Sequence, residues 1–77
     1  AREPLSVRER MGRVIELLAD RKSKPFAVLV DLGEGRAGVV VCFLAVLELA
    51  RTSMIVVDQK DMDSLPLIRL AGPVEQA

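Results

Sequence analysis

Residues 36–51, RAGVVVCFLAVLELAR, constrain this chain more than any other stretch. Between Ala37 and Ala50 only Glu48 is charged, and nearly everything else is apolar. A run of this length suits a helix of a globular domain and is too short to cross a bilayer. A helix that is apolar all round must be covered all round, and a chain of 77 residues has little else to cover it with. At about 100° per residue, Val40, Phe43, Leu44, Leu47 and Ala50 fall on one side. Gly38, Val41, Cys42, Ala45, Glu48 and Leu49 fall on the other, with Val39 and Val46 on the flank. The first set is bulkier, so the expectation gives it to the core and leaves the second set outward. Monomers seldom leave a contiguous apolar patch bare, so the outward face reads as a protein-binding surface. The alternative is that other parts of the domain cover it.

The size fits one domain, residues 1–77 with a core at about 6–70. Such a domain buries only about 60% of its unfolded surface, so its stability is modest. The chain opens on Ala1 without a methionine, and the reading is that it is a fragment of something longer. Lys plus Arg number 11 and Asp plus Glu number 11. That balance lacks the basic excess of a nucleic-acid binder. The single cysteine, Cys42, lies inside the apolar run, so no internal disulfide forms and a reducing compartment is the natural home. As a nucleophile Cys42 would need a base, and the chain has no histidine; it reads as a small apolar residue.

In chain order, residues 1–5 form a polar lead-in. Ser6 caps a first helix and Glu9 completes a capping box. Val7, Met11, Val14, Ile15 and Leu18 recur at helical spacing, with Arg8, Arg10, Arg13 and Glu16 outside that stripe and the end near Asp20. Pro25 stops the helix from continuing. Residues 26–32, FAVLVDL, fit a brief extended piece at 25–26 followed by a short helix, with a simple strand as the alternative. Gly33 and Gly35 turn the chain into the long helix. Gly38 costs that helix about 1 kcal/mol relative to Ala, for close backbone approach or simply tolerated. Residues 54–60, MIVVDQK, read as a strand and residues 66–70, PLIRL, as its antiparallel return, with Pro66 suiting an edge. Residues 72–77 form a tail. The expected fold is therefore α+β: a winged helix of three helices with a C-terminal two-stranded β-hairpin.

Little in this chain does chemistry. Gly33 to Gly35 lacks the lysine and length of a phosphate loop. Asp58, Asp61 and Asp63 lack the Gly and Glu of a calcium loop and read as a solvated acidic turn. With no His, Tyr or Trp, the chain is not expected to be an enzyme, and no metal or cofactor is expected. A DNA-reading helix needs polar side chains toward bases and phosphates; here only Arg36 and Arg51 stand at its ends. The acidic hairpin turn would repel a phosphate backbone. This winged helix reads as built to meet protein.

SVRERM at 6–11, RAGVVVCFLAVLELAR at 36–51 and VVDQ at 56–59 resemble the C-terminal winged-helix domain of segregation and condensation protein A, the bacterial kleisin. The match covers about residues 5–70 and rests on the order and spacing of the motifs. An acidic residue is usual in that family where Gly38 stands, and threonine where Cys42 stands. The turn at 62–66, MDSLP, also departs from the family's aromatic-glycine-aspartate wing.

The resemblance implies a role in chromosome condensation and segregation. Kleisins bridge the two heads of an SMC dimer, and this domain would bind one ATPase head and help close the SMC–kleisin ring. Segregation and condensation protein B would bind other parts of the full chain. No direct nucleic acid, no membrane and a cytoplasmic, nucleoid-associated setting are expected. From the face assignment, the partner-binding residues are expected to be Arg36, Val41, Cys42, Ala45, Glu48 and Leu49, with Asp58 and Gln59 beside them. If the faces are exchanged, Phe43 and Leu47 become the contacts. A winged-helix DNA binder and a self-associating module stay open as alternatives.

Overall fold

Ser6 starts the first helix as its spacing from Glu9 implies: its hydroxyl accepts the Glu9 N–H at 3.2 Å. The computed structural model describes residues 5–72, so the expected lead-in and tail fall largely outside the described residues. Helix α1 spans Val7–Leu17 and ends in turns that reach Asp20. No basic residue stands in its last turn. Lys24 supplies the cation from the next element, its Nζ donating to the Leu17 carbonyl at 2.6 Å and to Asp20 Oδ2 at 2.9 Å. A positive group there offsets the negative end of the helix dipole.

Strand β1 (Lys24–Pro25) leads straight into helix α2 (Phe26–Leu29). A 3₁₀ turn, Leu32–Glu34, then delivers the chain into helix α3, Gly35–Arg51. Gly35 stands at φ 67° and ψ −153°, a conformation open to glycine alone. Helix α3 closes at Ser53, which takes φ 65°. The Ser53 N–H donates to the Ala50 carbonyl at 3.0 Å and the Met54 N–H to Leu49 at 2.8 Å, the two bonds of a Schellman stop.

Strands β2 (Ile55–Asp58) and β3 (Leu67–Leu70) form the expected antiparallel hairpin, with Ile55 opposite Leu70 and Asp58 opposite Leu67. The sheet has a third strand that the sequence reading did not include. β1 pairs with β3, Lys24 opposite Ile68 and Pro25 opposite Leu67, so the order is β1-β3-β2. The proline at an edge is Pro25, whose missing N–H costs the sheet least there; β3, after Pro66, is central. Three helices with this antiparallel sheet make an α+β fold of the winged-helix kind.

The core gathers Val14 and Leu18 of α1, Leu29 of α2, Cys42, Val46 and Leu49 of α3, Ile55 of β2 and Ile68 of β3. Helices α1 and α3 form the most extensive contact in the fold. Here the structure corrects the face assignment of α3. Gly38, Cys42, Ala45, Val46 and Leu49 are buried, while Val40, Phe43, Leu44, Leu47 and Ala50 are exposed. Bulk was the wrong criterion. Val14 and Leu18 of α1 already fill the space between the helices, so the α3 side of the seam must be small for the axes to approach at native density.

Arg10 is a second correction. It lies inside the fold, 7% exposed, and its Nη2 donates to Glu34 Oε1. Gly38 makes room for that pair. A Cβ built there would stand 2.5 Å from the Glu34 Cβ and 2.7 Å from Glu34 Oε1. Close approach, not tolerance, explains Gly38.

Gly12 is different, because nothing lies within 4 Å of a Cβ built on it. Gly12→Ala is therefore expected to stabilise the domain by about 1 kcal/mol and to raise its melting temperature by about 4–8 °C. Thermal circular dichroism measures this, and an unchanged or lowered midpoint would contradict the open environment described.

Candidate protein-binding face

Helix α3 carries two seams because it is apolar all round. The inner seam, Gly38, Cys42, Ala45 and Leu49, is closed by α1 and the core. The outer seam runs Arg36, Val40, Phe43, Leu47 at spacings of four, three and four, with Val39 and Leu44 beside it. Phe43 is 52% exposed and Leu47 is 50% exposed. Phe43 is held in place by the Phe26 ring, edge to face at a centroid distance of 6.3 Å. That contact reduces the rotamer freedom Phe43 would lose on binding. No residue from Ala37 to Leu47 is charged, so the stripe is a continuous apolar strip on a rigid helix.

Its two ends differ in charge. At the C-terminal end Arg51 chelates Glu48, Nε to Oε1 at 3.1 Å and Nη2 to Oε2. Hydrogen bonding from the guanidinium holds the Glu48 carboxyl below the usual range. At the N-terminal end Arg36 is exposed and makes no ion pair among the described residues.

The expected contact residues fall into three groups. Arg36 borders the outer seam, Glu48 is partly exposed and tied to Arg51, and Val41 is half-buried. Cys42, Ala45 and Leu49 have no exposed surface and face the core. Asp58 and Gln59 sit elsewhere, in a groove of about 550 Å³ with Ser23, Lys60, Ser64, Leu65 and Leu67, which no α3 residue lines. Both also serve the hairpin itself. Asp58 faces Arg69 at 3.5 Å, and Gln59 Nε2 donates to the Ser64 carbonyl at 2.7 Å. Asp61 ties the same turn by accepting from the Ser64 hydroxyl at 2.8 Å and the Asp63 N–H at 3.0 Å, which holds its carboxyl low.

Cys42 donates to the Leu29 carbonyl at 3.4 Å, and burial pushes its thiol above the ordinary range. A buried thiol without thiolate character is inert. Among the described residues no group of three or more His, Cys, Asp or Glu side chains converges as metal ligands would, and no helix is long and apolar enough to cross a membrane.

The exposed residues of this face that the sequence reading did not name as candidates are Val39, Val40 and Leu44, with Phe43 and Leu47 named only for exchanged faces. A signal was present. Gly38, Cys42 and Ala45 recur at four and three residues, the spacing of small side chains at a close helix crossing.

No family model matches the chain. It is 46% identical over 72 residues to segregation and condensation protein A of Coxiella burnetii (strain RSA 493 / Nine Mile phase I), covering 94% of this chain and 27% of that protein. It is 48% identical over 80 residues to segregation and condensation protein A of Xylella fastidiosa (strain 9a5c), covering 96% of this chain and 26% of that protein. This chain belongs to the segregation and condensation protein A family. A third relative, from Xylella fastidiosa (strain Temecula1 / ATCC 700964), bears the same name at 46% identity over 59 residues, 77% of this chain and 20% of that protein.

The chain thus spans about a quarter of the length of the segregation and condensation protein A relatives it matches. Gly38 leaves the space through which Glu34, one turn earlier, reaches Arg10.

Proposed function

We propose that this domain is the partner-docking end of a kleisin, binding the ATPase head of an SMC protein through the outer face of α3. It helps close the SMC–kleisin ring that acts in chromosome condensation and segregation, in the cytoplasm at the nucleoid. One observation carries the reading: Val40, Phe43, Leu44 and Leu47 form an apolar stripe, about half exposed, on a helix whose other face is already used. The resemblance supplies the identity of the partner. On this reading the chain is a single domain at the C-terminal end of a longer protein. It contributes no catalysis of its own, and segregation and condensation protein B binds elsewhere on the full chain.

The test is calorimetry of the chain against an SMC ATPase head from the same organism, with Leu47→Arg beside it. Leu47 is 50% exposed, so the variant is expected to keep its fold. It is expected to weaken binding at least about thirtyfold, the loss of a central contact of about 2 kcal/mol. Undiminished binding by Leu47→Arg would move the contact off this face. The same stripe also suits a second copy of the chain. A dimer in solution, with no binding to the head, would favour self-association instead.

A further inference from the structure

We propose that Arg36 sets the direction in which the partner lies along α3, and that the partner carries a carboxylate at the end of its apolar ridge nearest the N-terminus of α3. The inference rests on the docking reading above.

Arg36 occupies the first turn of α3, at the positive end of the helix dipole, where a cation is unfavourable. No acidic residue stands in that turn to offset it. Glu34, the residue before the helix, makes no cap bond to α3 and turns its carboxylate to Arg10. Arg36 therefore adds positive charge at the positive end of the helix dipole, and among the described residues it makes no ion pair of its own.

Its position matters as much as its charge. Arg36 begins the sequence of spacings that continues through Val40, Phe43 and Leu47, so it shares their side of the helix. The opposite end of the stripe is electrically closed by the Glu48–Arg51 pair. The outer face is then an apolar strip of about 17 Å from Arg36 to Leu47, at 1.5 Å per residue, with a cation that has no ion pair among the described residues at one end only. Apolar contact alone does not distinguish the two directions in which a partner ridge could lie. A partner carboxylate does: one direction places it at Arg36, the other places it against a pair already satisfied. Charge complementarity of this kind contributes orientation and encounter rate more than raw affinity.

The experiment measures binding of the SMC ATPase head and thermal stability together, for the unaltered chain, Arg36→Glu and Leu47→Arg. Arg36→Glu places an acid in the first turn, so its melting temperature is expected to hold or rise while its affinity falls about tenfold. The unaltered chain is expected to lose affinity as salt rises, and the variant to lose that dependence. Opposite signs for stability and affinity are what a merely structural arginine does not produce. Parallel loss of both, or full affinity in Arg36→Glu while Leu47→Arg fails to bind, overturns the orienting role and leaves the docking reading intact. Absence of binding by the unaltered chain removes the docking reading and this inference with it.

Discussion

Ala45→Arg is expected to unfold the domain. Ala45 has no exposed surface and lies on the inner face of α3, the face that packs on α1. With no exposed surface to grow into, a larger side chain there must displace its neighbours. The guanidinium would also enter the core with no carboxylate placed to receive it. An unpaired buried charge and overpacking together cost several kcal/mol, against a total stability of roughly 4–12 kcal/mol for a chain of this size. Far-ultraviolet circular dichroism should show most of the helical signal lost at 25 °C. Leu47→Arg, two positions on, should keep it. A folded Ala45→Arg variant would contradict the inward placement of this face. The contrast also guards the binding experiment, because an unfolded variant loses its partner for reasons unrelated to contact.

Glu34→Gln is expected to cost roughly 2–3 kcal/mol and to lower the melting temperature by roughly 8–24 °C. The exchange keeps shape and removes charge. Arg10 is 7% exposed and its Nη1 has no hydrogen-bond partner, so Glu34 is what compensates its charge. Removing one partner of such a pair leaves a desolvated cation, which costs more than the pair itself contributes. Glu34 keeps 24% of its side chain exposed, and water reaching it moderates the loss. Arg10→Met combined with Glu34→Gln should recover most of the stability, because it removes the buried charge along with its partner. Thermal melts of the two single variants and the double variant separate charge from packing. Equal destabilisation in the single Glu34→Gln and the double variant would mean the pair acts through shape alone.

Much of this architecture is legible in local chemistry. Ser6 and Glu9 announce the start of α1, Pro25 bars its continuation, and the β-branched residues 55–57 mark a strand. Each of these depends on neighbours in the chain, so each can be read along it. Arg10 was misplaced because its partner, Glu34, is 24 residues away. Nothing local tells an arginine outside an apolar stripe that a carboxylate waits over the edge of the next helix. β1 was read only as a brief extended piece at 25–26, and its place in the sheet was missed for a similar reason. Two residues ending in proline carry no alternation, and their pairing is decided by where β3 lies.

The face of α3 is the clearest division between the two sources of information. The amino-acid sequence by itself determined that residues 36–51 form a helix, and that this helix is apolar all round, with more apolar surface than a short chain readily covers. Periodicity could not choose the side, because both sides satisfy it. That choice belongs to the tertiary structure. It follows from volume: α1 brings Val14 and Leu18 to the seam, the space left for α3 accepts Gly38, Cys42 and Ala45, and the larger Val40, Phe43 and Leu47 are left facing out.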